Sequence, residues 1–538
     1  MKETKKFYTG IFLTLCGIFC AYFIGQKIVD INLHKMPQGS VVDDTDFGNF
    51  LVAQHALYVN DFDMASKAAS SIKANNKTVT NVQSLADFFN GKLPQNAASF
   101  KDSKELLNGL IYDAFLIQKE DWKSVYNRHE KDKTILAAPL RIFPGVKQGK
   151  TKEIHKYLDS LKVDDSWKAF IKGQIAVLNN DIDAAAKEFA KVHPDFMNIN
   201  EYLYLMSFYK ENDMVEDMKI LHDDFVAKPG GMYIADYPEI PDWSNYAGYK
   251  NNMVFAIIQN ISHMQVMVYT DLSLMFLRFA QIISSEANLD AANYYLGQYY
   301  FYNSGDYKTC FKNIKKSSPL YLFGQLHIAE KAKDFKTIKK IARNNPLFIP
   351  AIQLVVREYI KTGNKNGALR VFNRALKSKN IPDASRVYLL KQRAYVYLMF
   401  GDSRRAQDDL NTVKVLTDNI TLDIMSLQAY AWLLQNNNLD TAYNYAMASV
   451  KYNTSDVYAW DLVARIVRKK EGLVNALEIM ESVSMAANIS SFYEHFGDLY
   501  MELGDKEKAL RAYEQALDLS EDGFVVVPFV QKKIRKLK

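Results

Sequence analysis

Small, large and polar positions recur along this chain with the period of a helix. Four residues past Asp402 comes Ala406, then Leu410 and Val413; four past Asp505 comes Ala509, then Tyr513 and Ala516; four past Asn364 comes Ala368, then Phe372 and Ala375. A small residue, a large one four later and a small or apolar one three later fall on a single helical stripe. The small residue lets one helix cross closely over a partner, and the large one fills the space beside it. A second stripe precedes each turn, as in Tyr493, Phe496, Gly497 and Tyr500. Each unit therefore predicts two antiparallel helices joined tightly. The turns recur at Gly363-Asn364, Gly401-Asp402, Asn438-Leu439, Glu471-Gly472 and Gly504-Asp505. The intervals between Asn364, Asp402, Asn438, Gly472 and Asp505 are 38, 36, 34 and 33 residues. Such a period marks stacked units, none of which buries its apolar face without neighbours.

Weaker copies lie upstream. Asn180-Asp181 is followed by Ala185, Phe189 and Val192, with Gly173 in the helix before; Asn60-Asp61 leads to Ala65, Ala69 and Ile72. Gly305-Asp306 leads to Cys310, Ile314 and Ser317, and Asp213 to Met218, His222 and Phe225; around Asp121 and Asp334 the rhythm is degraded. Three prolines and two adjacent glycines between Lys228 and Trp243 read as a loop or hinge. The apolar helices that follow, through Ile283, are interrupted by Gln259, Asn260, His263, Gln265 and Asp271. That fits buried repeat helices better than a second membrane span. The predicted order is an anchor over 1–26, a linker over 27–46, degenerate repeats over 47–229, a hinge over 230–250, a regular array over 251–522 and a basic helix over 523–538.

Residues 493–522, YEHFGDLYMELGDKEKALRAYEQALDLSED, resemble a tetratricopeptide repeat. Gly497 and Tyr500 match the small and aromatic positions of its first helix, and Ala509, Tyr513 and Ala516 those of its second; Glu521 stands where the repeat closes on proline. Tyr430-Ala431-Trp432 and Glu494 to Asp498 also resemble the last two repeats of an alphaproteobacterial tetratricopeptide family, whose members are membrane-anchored. The resemblance implies an all-α fold, a right-handed superhelical α-solenoid of helix pairs, here preceded by one transmembrane helix.

That anchor is read from the N-terminus. Phe7 to Gly25 carries no charge, and nineteen residues at about 1.5 Å each span about 28 Å, roughly a bilayer's hydrocarbon core. Lys2, Lys5 and Lys6 precede it; Asp43, Asp44 and Asp46 lie beyond. The positive-inside rule then puts the short N-terminus in the cytoplasm and the array outside, in the periplasm of an inner-membrane protein. The alternative is a cleaved signal peptide, which would leave the array periplasmic and free, but Cys20-Ala-Tyr-Phe-Ile-Gly offers no good pair of small residues for cleavage.

Composition narrows the function. The 538 residues are 48% hydrophobic and 24% charged, with a net charge of +6, the mix of an ordinary folded protein. Three of those positive charges fall within residues 1–35, so the remainder is nearly neutral and nucleic acid is not expected as a partner. Cys16, Cys20 and Cys310 cannot form a disulfide framework or a cysteine-rich metal site. Nine histidines show no metal-ligand spacing. Gly145-Val-Lys-Gln-Gly149-Lys150-Thr151 approaches a phosphate-binding loop but has three residues between its glycines where that loop needs four. Lys532, Lys533, Arg535, Lys536 and Lys538 read as a soluble, dipole-favoured helix end. No catalytic residue, metal, cofactor or small-molecule substrate is therefore expected, and the chain is read as a non-enzyme.

What remains is the groove that first helices line in such arrays, which holds peptides or partner helices. Gln353, Arg357, Lys361, Lys391, Tyr395, Gln428, Trp432, Glu494 and Asp498 are expected to face it. The expected function is a protein-binding scaffold of the cell envelope. The alternative is an accessory subunit of an envelope enzyme or of a polysaccharide-export or outer-membrane assembly complex.

Overall fold

One turn, used many times, sets the architecture. At Glu120-Asp121, Asn180-Asp181, Lys333-Asp334, Gly363-Asn364, Gly401-Asp402 and Gly504-Asp505 the first residue takes a positive φ, between 52° and 92°. The next N–H reaches back to close the preceding helix, as Asp402 does on the Tyr397 carbonyl at 2.8 Å and Asp505 on that of Tyr500 at 2.9 Å. Its side chain then accepts the backbone N–H three residues ahead: Arg405 for Asp402, Lys508 for Asp505, Gly367 for Asn364. Orphan carbonyls of one helix and orphan amides of the next are thus satisfied within a few residues. Asp61, Asp121, Asp181, Asp306 and Asp334 cap their helices in the same way. Asn438 and Gly472 make turns without that side-chain bond.

The computed structural model describes residues 46–538 except 60, 74–76, 194–196, 229–230, 232–233, 235–237, 264–269, 285, 304, 380 and 418–419. The expected anchor, the linker up to residue 45 and Gln265 lie outside the described residues. The chain divides into two compact units, Met1–Asn96 and Ala97–Lys538. In the first, α1 (Asp46–Tyr58), α2 (Phe62–Ser70) and α3 (Lys77–Phe89) pack around alanines 53, 56, 65, 68, 69 and 86. The second begins with α4 (Leu106–Gln118), α5 (Trp122–His129), α6 (Ala138–Lys147), α7 (Thr151–Ser160), α8 (Asp165–Leu178), α9 (Ile182–Phe189), α10 (Ile199–Glu211) and α11 (Val215–Ala227). After the loop come α12 (Tyr249–His263), α13 (Asp271–Ile283), α14 (Glu286–Asn303), α15 (Tyr307–Lys312), α16 (Leu320–Lys331) and α17 (Phe335–Asn344). The regular array follows: α18 (Ile349–Lys361), α19 (Lys365–Leu376), α20 (Asp383–Met399), α21 (Ser403–Leu416), α22 (Leu422–Gln435), α23 (Leu439–Tyr452), α24 (Val457–Lys470), α25 (Leu473–Val483), α26 (Ser490–Leu503) and α27 (Lys506–Asp518), closed by α28 (Val527–Arg535). No strand occurs among the described residues. Successive helices pack on one another, which makes the second unit an all-helical solenoid.

The pairs close on glycine. A Cβ on Gly497 would stand 2.6 Å from the Tyr513 ring, and the same contact recurs between Gly173 and Phe189 and between Gly297 and Phe311. The helices around the loop depart from simple stacking: α12 packs against α6 and α8, and α13 against α4. Their polar residues have partners. Asn260 accepts from the Trp167 indole at 2.6 Å, and His263 and Gln259 both meet Glu201. No described helix, α12 and α13 included, is long and apolar enough to cross a membrane.

Candidate functional site

The near match to a phosphate loop, the one cysteine of the array and two of its histidines all have structural places. Gly145 lies in α6 and Gly149 in the turn before α7, so the near match to a phosphate loop is a helix–turn–helix with no strand feeding it. Burial pushes the Cys310 thiol up to about 11, far from a reactive thiolate. His222 bonds the Tyr202 hydroxyl at 2.7 Å, and His495 bonds Asp461 at 2.6 Å. Among the described residues no group of three or more His, Cys, Asp or Glu is placed to hold a metal ion.

The first helices of the regular array, α18, α20, α22, α24 and α26, form a groove, and the segment 520–535 lies along it. Lys361 Nζ pairs with Glu521 at 2.5 Å. The Gly523 backbone (φ 77°) presses on Arg357, whose Cγ is 2.1 Å from where a Cβ would stand. Phe524 meets the edges of Tyr395 and Tyr458 at 6.2 and 5.1 Å. Val525 and Val526 are buried in two different clusters, the first with α22–α27 and the second with α18–α22, so this dipeptide ties the two together. Ser490 anchors the start of the segment, its N–H and hydroxyl donating to Asp522 at 2.8 and 2.5 Å. Lys533 of α28 closes it on Glu494 at 2.8 Å and Asp498 at 2.7 Å, and Asp498 also accepts from the Tyr513 hydroxyl.

Arg357, Lys361, Tyr395, Glu494 and Asp498 are therefore brought together, all against this segment. Gln353 is exposed and donates to Tyr388, and Lys391 pairs with Asp423 of α22. Gln428 and Trp432 lie elsewhere: Gln428 is buried against Gln407 and Lys414 of α21, and Trp432 packs on Tyr445 of α23. On α22 it is Tyr430 that joins both clusters and feels the charges of Arg465, Asp461, Glu494 and Lys533. Burial lifts the Tyr395 phenol well above its usual range, so it stays neutral. Asp461 is buried too, but the neighbouring Arg465 and His495 hold its carboxyl below the usual value. The same burial, with the Arg465 charge, disfavours a proton on His495. Tyr430, Tyr458, Asp461 and Arg465 were not among the expected groove residues. The apolar run Phe524-Val-Val-Val-Pro-Phe-Val was the available sign that residues past the last pair do more than solubilise it.

The model of the tetratricopeptide repeat family matches residues 490–522, which are α26, α27 and the turn after them. A TPR repeat-containing protein of Methanocaldococcus jannaschii is 26% identical over 225 residues, 37% of this chain and 38% of that protein, so the match spans well under half of the relative's own length. Among solved structures, the APC/C hetero-tetramer Cut9-Hcn1 is similar at 12% identity and a TM-score of 0.30, covering 98% of this chain and 94% of that one. Yeast Tom70 is similar at 14% identity and a TM-score of 0.28, covering 82% and 96%.

Proposed function

We propose that this protein is a non-enzymatic scaffold that binds partner proteins along the groove of its first helices, in exchange with its own segment 520–535. The observation that carries this reading is the segment itself. The groove holds a peptide-like stretch by the means such recognition uses, apolar side chains in pockets and charged residues at the ends. A partner segment of like chemistry, aromatic and β-branched residues followed by lysines, fits the same positions. The test is a labelled peptide of residues 523–538 added to the full chain and to a Val525→Asp/Val526→Asp chain, whose own segment is expelled. Binding to the variant, with weak binding to the parent, is the expected result. A variant that keeps its helical circular dichroism yet binds no peptide overturns the reading.

The same proposal places the scaffold in the cell envelope, held by residues 1–26 with the array outside the cytoplasm. The uncharged run Phe7 to Gly25 between lysines and aspartates supports it. Protease added to spheroplasts should digest the array; protection of residues 97–538 in intact spheroplasts refutes that orientation.

A further inference from the structure

The near-neutral balance of the chain conceals a local excess of charge. Residues 331–379 hold thirteen Lys or Arg and two acidic residues, a net +11 in a chain whose total is +6, which leaves −5 for the rest. The fold gathers much of this charge around one cleft. On α18, Val355 and Tyr359 stand about 200° around the helix from Arg357 and Lys361, so they face away from the groove just described. There α17 and α19 flank a cleft of about 750 Å³, whose lining includes Val355, Tyr359 and Val371. Lys336, Lys339, Lys340 and Arg343 of α17 and Arg370 and Arg374 of α19 also line it.

All six are exposed, and none has an ion-pair partner among the described residues. Four half-buried cations elsewhere in the array are paired: Lys365 to Asp402, Lys391 to Asp423, Arg393 to Asp409 and Arg465 to Asp461. The one acidic residue in the lining, Asp334, is engaged as the cap of α17, accepting from the Thr337 N–H and hydroxyl. The cations are also spaced to repel. Lys336 and Lys340, Lys339 and Arg343, and Arg370 and Arg374 are like-charge pairs four residues apart, an arrangement that opposes the helices carrying it. A solvated helix face gains nothing from such spacing. An anionic ligand reverses its sign, and a cleft focuses the field further.

We propose that the cleft between α17 and α19 docks an acidic segment of a partner protein, one in which Asp and Glu alternate with apolar residues. The carboxylates meet the six cations at the rim, the arginines in bidentate fashion. The apolar side chains cover the half-buried Tyr359 and Val371, beside the buried Val355. A nucleic acid backbone would use the rim and leave the apolar lining idle, and a flat anionic membrane would not enter the cleft.

The test uses the full chain and three probes: a fluorescein-labelled peptide of alternating Glu and Leu or Phe, a single-stranded oligonucleotide, and phosphatidylglycerol vesicles. The peptide should bind, more weakly as salt is raised, and a Glu-to-Gln version of it should not. Lys339→Gln/Arg343→Gln/Arg370→Gln/Arg374→Gln should weaken binding at least about tenfold, the scale expected for charge complementarity at an interface. The charge-reversed Glu set should abolish it, and the Gln set decides if that variant fails to fold. Absence of peptide binding, binding indifferent to the Gln set, or tighter cleft-dependent binding of the oligonucleotide or vesicles overturns the proposal. A Val525→Asp/Val526→Asp chain keeps the cleft, so failure here and failure of the groove reading are told apart.

Discussion

Glycine acts in two ways in this chain. Gly401 takes φ 74° at an open turn, where an added Cβ would meet nothing within 4 Å, so alanine there faces only the left-handed backbone, about 1–2 kcal/mol. Gly497 lies inside α26 with an ordinary helical backbone, and its value is the missing Cβ beneath Tyr513. Gly497→Val must push that buried ring aside, which adds about 1–3 kcal/mol of overpacking to the loss of helix propensity. Thermal unfolding should therefore show a larger drop in Tm for Gly497→Val than for Gly401→Ala, and the opposite order would refute close packing at this crossing. Both glycines were visible in the sequence, because turn and crossing each repeat with the period.

Between elements, charged groups add conditions that packing alone would not impose. Asp113 of α4 is 1% exposed and takes Arg128 and His129 of α5 at 2.7 and 2.9 Å, and Asp132 faces the other nitrogen of His129. Burial works against a charge on His129, but the hydrogen bonds and charges of Asp113 and Asp132 outweigh it and raise the imidazole to about 9. The folded state thus holds the proton more tightly than the unfolded chain, at about 6.5. This contribution is complete below pH 6.5 and is lost as pH rises through 9. The parent should lose stability between pH 7 and 9.5 more steeply than His129→Gln, measured as Tm against pH; parallel slopes would remove the linkage. Nothing in the sequence signalled this cluster, since α4 and α5 belong to a degraded copy of the repeat and Asp113 lies in its apolar stretch. The caps were legible for the opposite reason: Asp402 and Asp505 bond amides only three residues away.

For the second unit as a whole, the segment in the groove changes what the array can offer a partner. Two kinds of contact hold it, and their magnitudes differ. Val525, Val526 and Val530 are buried, and burying a valine stabilises by about 1.5–3 kcal/mol. Lys533, Glu494 and Asp498 are partly exposed, and such pairs contribute about 0–1 kcal/mol. The valines should therefore govern retention. Val526→Asp should open residues 520–538 to limited proteolysis while the rest of the helical signal persists, and Lys533→Ala should change the cleavage rate little. Loss of all helical signal in Val526→Asp would make the segment an inseparable part of the core instead of an exchangeable occupant. Gln428 and Trp432 belong to this scale too. Counting along the repeat placed them in the groove, but the packing of α22 turns Tyr430 toward it and buries Gln428 against α21.

The residues by themselves determined what is decided within about one turn of helix: where helices start and stop, which turns join them, and which small residue admits which large one. Those are local hydrogen bonds and local volumes, and they recur wherever the same few residues recur. Tertiary structure alone decided which contacts form across long separations. It laid Phe524 to Ile534 along five first helices, seated α12 on α6 and α8 with Asn260 under Trp167, and set the cations of α17 beside those of α19. An apolar run or a lysine states that it will seek a partner, but the partner is chosen by which surfaces the completed stack leaves within reach.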